Sequence, residues 1–272
     1  MTTRKTLLTA LLAGLLAATP ALAHRQWMQP SATVLSGDKA WVTVDAAISN
    51  DLFYFEHFPM RLENMKVWQP DGSEGRIQNP STGRYRSVFD VELNQQGTWK
   101  IGTTMSGVMG SYKQNGEQKR LPRGAAAADM AKLIPADATD VQISENSNRN
   151  EIFVTVGAPT TTVLKPTGKG LEVEWLTHPN DMIAGEKAKI RFLADGKPAA
   201  GIDVEVVPGG VRYRDKLNDR TLKTDANGVL TLDWPAPGMY WLEAQMQDNK
   251  PSLPGATQRR MGYITTLEVL AP

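Results

Sequence analysis

Tyr85-Arg86-Ser87-Val88-Phe89-Asp90-Val91-Glu92-Leu93 alternates between two faces, and Gly97-Thr98-Trp99-Lys100-Ile101-Gly102 follows it after a glycine turn. A period of two over several residues is the mark of a half-buried strand, because successive side chains point to opposite faces. The same period runs upstream through Ala40-Trp41-Val42-Thr43-Val44-Asp45-Ala46, and Met65-Lys66-Val67-Trp68 ends at the turn Pro70-Asp71-Gly72. Downstream, Glu151-Ile152-Phe153-Val154-Thr155-Val156-Gly157 resumes it. Short strands separated by turn residues at this spacing predict a β-sandwich.

Residues 106–150 depart from the pattern. Ser106 to Arg120 is Gly-rich and polar and reads as a loop, while Gly124 to Leu133 is alanine-rich and reads as a short helix ended by Pro135. Thr160-Thr161-Thr162 and Pro166-Thr167-Gly168-Lys169-Gly170 then read as a connection. A second series follows, with Glu172-Val173-Glu174-Trp175, Lys187 to Leu193, Ile202 to Val207, Val229 to Leu232, Met239 to Ala244 and Tyr263 to Val269 as strands. The fold class is therefore all-β, with two β-sandwich domains. The first spans 24–160 with a loop and helix insertion at 106–150. The second spans 171–272 and suits an immunoglobulin-like or transthyretin-like plan.

Residues 1–23 read as an address. Arg4 and Lys5 precede an apolar stretch from Leu7 to Ala18, Pro20 breaks it, and Ala21-Leu22-Ala23 forms a cleavage site. This is the pattern of a secretory signal peptide, and it is too short for a membrane span. Cleavage would move the formal charge from +1 to −1 by removing Arg4 and Lys5. The expected location is the periplasm, with no membrane span left after cleavage.

Composition excludes several classes. With Cys 0 there is no disulfide, thiol nucleophile or zinc–cysteine site, and near-zero charge argues against nucleic acid as a partner. G-x-S-x-G, H-E-x-x-H and a glycine-rich phosphate loop are all missing, so the chain reads as a non-enzyme.

Three histidines remain: His24, His57 and His178. Cleavage after Ala23 makes His24 the first residue, whose α-amine and ring Nδ1 together can chelate one ion. Such nitrogen donors suit Cu, Ni, Co and Zn. With the His57 and His178 imidazoles the set reaches four nitrogens. Asp51, Glu56 and Asp181 flank these histidines and could orient their rings, although turn capping by Asp51 and Asp181 is the plainer reading. The 11 methionines read as core filler rather than Cu(I) ligands, and the seven tryptophans as core rather than a carbohydrate-binding row.

Two resemblances extend this reading. Gly196-Lys197-Pro198-Ala199-Ala200-Gly201-Ile202-Asp203-Val204, Thr224-Asp225-Ala226-Asn227-Gly228 and Pro237-Gly238-Met239-Tyr240 resemble carboxypeptidase regulatory-type sandwich modules. His24-Arg25-Gln26-Trp27 through Pro30-Ser31, the Trp41–Ala46 strand with Ser49-Asn50-Asp51, and Leu176-Thr177-His178-Pro179-Asn180-Asp181 resemble the DUF4198 family of exported bacterial proteins. That resemblance covers almost the whole chain after residue 23. It implies a periplasmic component that handles Ni or Co (or Cu) and hands it to an inner-membrane transporter or outer-membrane receptor. The alternative reading is a non-enzymatic interaction module for an envelope protein or glycan. A copper oxidase is a further chemical option, since copper held by three nitrogens keeps an open position.

Overall fold

The computed structural model describes residues 24–122 and 124–272. The signal-peptide reading of 1–23 lies outside them. Among the described residues no helix is long and apolar enough to cross a membrane.

The chain is all-β, and two sandwiches share one sheet. In the amino-terminal half, Arg25–Pro30, Ala40–Ser49, Ser87–Leu93 and Gln78–Thr82 lie side by side in one sheet, with Phe58–Pro59 paired to Ala40–Ser49. It packs on the inner faces of Gly97–Gln114 and Thr139–Val156. The alternation read from the sequence supplies the core directly: Val42, Val44 and Ala46 meet Phe89, Val91 and Leu93 from one layer, and Trp99, Ile101, Ile152 and Val154 from the other. In the carboxy-terminal half, Leu171–Trp175, Lys187–Ala194, Lys197–Pro198 and Val229–Asp233 form a four-stranded sheet. It faces Asp203–Pro208, Gly238–Asp248 and Gln258–Val269 across a core that includes Ile190, Phe192, Leu232, Trp234 and Tyr263. Tyr240 donates its hydroxyl hydrogen bond to Ala236 O at 2.8 Å, a tyrosine corner of the kind that immunoglobulin-like sandwiches use.

Thr139–Val156 runs parallel to Gln258–Val269, from Ser144 opposite Gln258 to Glu151 opposite Thr265. This pairing merges the outer layers of both halves into one nine-stranded sheet among the described residues.

The segment 106–150 differs from its expected form. Ser106–Gln114 continues the strand begun at Gly97, turns at Asn115-Gly116 and returns as Glu117–Arg120. Both turn residues have positive φ, 52° and 80°, the geometry that suits the right-handed twist of a two-residue hairpin. Residues 139–150 are likewise strand, not loop. The helix is present but short, a 3-10 turn at Ala127–Asp129 followed by Met130–Leu133. The tryptophans are structural: Trp27, Trp99, Trp234 and Trp241 are fully buried, and of the others only Trp41 is exposed.

A third apolar cluster joins the halves. Trp27, Ala47 and Leu52 pack against Val207, Val211, Trp241 and Ile264. Trp241 donates its indole N–H to Gln26 O at 2.9 Å, and Trp27 donates its own to Ser49 Oγ at 2.7 Å. Both indoles are thereby buried with their one donor satisfied.

Candidate metal centre

Arg25–Pro30 pairs antiparallel with Ala40–Ser49, with Arg25 opposite Ser49. The same strand takes Phe58–Pro59 on its other edge, with Ile48 opposite Phe58. The start of one edge strand and the loop before the other therefore meet at Ser49-Asn50. His24 and His57 lie there with ring centroids 4.3 Å apart and planes inclined at 52°. Phe58 sits edge-on to both rings, at 6.1 and 5.9 Å.

Arg25 holds the amino-terminal end in place. Its guanidinium donates to Asn50 O at 3.2 Å and to Glu205 Oε1 at 2.7 Å, and lies over the Trp241 ring. The loop carrying His57 is pinned from below. Leu52 is buried, and Phe53 and Phe55 pack on Trp27 with centroids 5.3 and 5.4 Å away. Phe53 takes φ 60°, an unusual value for an aromatic residue, and its packing against Trp27 holds it there.

Glu56 ties its loop to the end of the Ala40–Ser49 strand. Its Oε1 accepts the backbone N–H groups of Asn50 and Asp51 at 2.8 and 3.0 Å and lies 3.9 Å from His57 Nδ1. His57 Nδ1 is enclosed and has no hydrogen-bond partner. A carboxylate on the Nδ1 side favours the tautomer with the proton there, leaving Nε2 for a ligand. Asp51 contributes its backbone, accepting from Ser49 Oγ at 2.6 Å, and its side chain is exposed. Among the described residues no three His, Asp or Glu side chains group as a ligand set.

His178 stands apart from this pair, at the far end of the Arg25–Pro30 strand near Thr33. Its Nε2 lies 3.0 Å from Thr98 Oγ1 and 3.3 Å from Thr160 O, and its Nδ1 accepts the Asn180 N–H at 3.1 Å. Both nitrogens are occupied, so His178 fastens the second half to the first. Asp181 lies in the same turn and donates its backbone N–H to His178 O at 2.9 Å. Burial holds the His178 pKa below the usual 6.5, against the opposing pull of Thr160 O and Asp181. A folded state that binds its proton less readily than the unfolded chain loses stability as pH falls. That loss begins near pH 6.5 and continues down through the lowered folded value. His178→Gln is expected to flatten the fall in Tm over that window, and an unchanged pH profile would count against this role.

A second feature escaped the sequence reading. Lys100, Arg149, Glu151 and Glu172 form a buried charge network where the halves join. Arg149 bridges Glu151 Oε1 and Glu172 Oε1, each at 3.2 Å, and Lys100 Nζ lies 3.6 Å from Glu151 Oε1. Tyr263 donates its hydroxyl to Glu151 Oε2 at 3.2 Å, and burial with the neighbouring carboxylate drives its pKa well above the usual range. Glu172 also accepts from the backbone N–H groups of Thr167, Gly168 and Lys169. In sequence Glu172 looks like the solvent side of an alternating strand.

The fold defines a class: an all-β protein of two fused sandwiches, in which two histidine rings meet where the first β-strand begins. The chain belongs to DUF4198, a domain of unknown function, whose family model matches residues 21–248. No curated protein matches it. Among solved structures it is similar to the D0-D1 domain of intimin, with 12% identity, 89% of this chain and 97% of that chain covered, and a TM-score of 0.21. It is also similar to the human OSCAR ligand-binding domain, with 13% identity, 91% and 100% covered, and a TM-score of 0.20. A trypsin-activated alpha-2-macroglobulin from Escherichia coli matches with 11% identity, 92% and 16% covered, and a TM-score of 0.22.

Proposed function

We propose that this is a periplasmic transition-metal-binding protein, not an enzyme, that takes up Ni, Co or Cu and passes it to a membrane transporter or receptor. The observation that carries this reading is the 4.3 Å approach of the His24 and His57 rings. Cleavage after Ala23 frees the α-amine of His24. The amine and Nδ1 of His24 then chelate the ion, and His57 Nε2 supplies a third nitrogen. Neutral nitrogens with no thiolate favour late first-row divalent ions. The remaining coordination positions stay open to water or to a donor on the receiving partner.

A free α-amine has a pKa of about 7.7–8.0, so metal capture releases a proton and affinity rises with pH through this range. Titration of the processed protein with Cu, Ni, Co and Zn is expected to show one site of near-stoichiometric occupancy. If none of the four ions raises the Tm or gives a saturable isotherm, the reading fails. Glu56→Gln is expected to weaken that binding by about tenfold through loss of ring orientation, with little change in Tm without metal. Equal affinity in the variant would remove Glu56 from the site.

A further inference from the structure

A cleft of about 660 Å³ opens on the nine-stranded sheet beside Gln26, where the first strand stops covering it. Its floor follows from the ladder. Met105 pairs with Asn148, Asn148 with Gly262, and Gly262 with Gln245. Arg260 pairs with Asn146 and Gln247 in the next same-face row, and Glu243 pairs with Ile264 in the row before. Residues directly opposite across a sheet share a face, as do alternate residues along a strand. Glu243, Gln245, Asn148, Met105 and Arg260 therefore rise from one face into one cleft.

Three properties define what would fit. The first is charge. Glu243 and Arg260 stand at opposite ends, separated by four residues of ladder and one strand, about 14 Å. Burial pushes the Glu243 carboxyl pKa up, with Gln245 and Arg25 opposing that and Glu205 adding to it, and an arriving ammonium would act against the shift. Arg260 is exposed and donates its Nε to Gln247 Oε1 at 3.2 Å, leaving its two terminal nitrogens for a carboxylate. The second is the wall between them. Gln245, Asn146 and Asn148 are carboxamides, each a donor and an acceptor, and Asn148 Oδ1 is enclosed without a partner. The third is the apolar rim. Met105 and Met109 are 51% and 59% exposed, and thioethers adapt to varied apolar side chains.

We propose that this cleft binds a short extended peptide of about four residues, with its free ammonium at Glu243 and its free carboxylate at Arg260. An extended chain rises about 3.4 Å per residue, so four residues span about 14 Å. The peptide backbone supplies an N–H for the unpartnered Asn148 Oδ1 and meets the acceptor oxygens of Gln245 and Asn146, whose amide groups already donate to Glu243 and Ser144, and its apolar side chains lie against the two thioethers. No aromatic side chain of the described residues lines the cleft, which disfavours the ring stacking that a saccharide would use.

The test is calorimetric titration of the metal-free processed protein, so the outcome is independent of the metal reading. The tetrapeptide Ala-Leu-Ala-Leu with free termini is expected to bind at least tenfold more tightly than its acetylated, amidated form. Arg260→Gln is expected to weaken the free peptide about tenfold and to abolish the preference for a free carboxylate. Because Arg260 is exposed, this variant should melt with the unaltered protein. No binding at millimolar peptide, equal binding of the blocked form, or binding of a neutral tetrasaccharide in its place would each overturn the proposal.

Discussion

Acetylating the α-amine of His24 in the processed protein is expected to weaken divalent-metal binding by about 100-fold, or about 2.7 kcal/mol. The acetyl group turns the α-amine into an amide, whose lone pair is delocalised into the carbonyl and is not offered to a metal. The chelate ring is lost and two separate imidazoles remain. The fold should be indifferent, because His24 is exposed and the first strand pairing falls at Arg25. Isothermal titration of the two forms, each with its Tm in chelator, separates the effects. Equal affinity with equal Tm would eliminate the α-amine as a ligand. His57→Ala in the processed form removes the third nitrogen and should also weaken binding, while leaving the two-nitrogen grip of His24.

Arg149→Met is expected to destabilise the protein by about 3–5 kcal/mol, since it strands carboxylates already taken out of water. Glu151 would keep Lys100 and Tyr263, and Glu172 would keep its backbone donors, but the one cation that bridges both would be gone. Denaturant titration at neutral pH reads the change as a shift in midpoint at constant slope. A loss under 1 kcal/mol would mean that water reaches the network. Combining Arg149→Met with Glu172→Gln should recover part of the loss, because the second substitution removes one of the stranded charges.

Much of the architecture was legible because strand alternation is a local property. Val42, Val44, Phe89, Val91, Trp99 and Ile101 are core residues in the structure and lie on the apolar face of the sequence pattern. The turn at Asp225-Ala226-Asn227-Gly228 is held by its own side chain, with Asp225 Oδ1 accepting from Asn227 N and Val229 N at 2.8 Å. Residues 106–150 misled because their composition is polar and glycine-rich, as a loop's would be. They form strands because each edge finds a partner far away, Thr139–Val156 along one side and Gln258–Val269 beyond it. The local signal that was present, Asn115-Gly116, specifies the hairpin but not the length of its arms.

The histidines divide in the same way. Nothing in sequence spacing relates His24 to His57 across thirty-three positions or separates both from His178. Ladder register does so: Arg25 opposite Ser49 and Ile48 opposite Phe58 bring the first pair together, and Thr98, Thr160 and Asn180 claim the third. Arg25, the residue that ties the site to Glu205 in the other half, carried no mark in the sequence beyond standing next to His24. The sequence alone determined the all-β class, the core faces and the short list of residues able to hold a metal, because periodicity and side-chain chemistry are readable one segment at a time. Only the tertiary structure decided which listed residues meet, that the halves share one sheet, and where a cleft is left open. Those depend on strand pairing between distant segments, whose register is set by the sum of packing over the whole sheet.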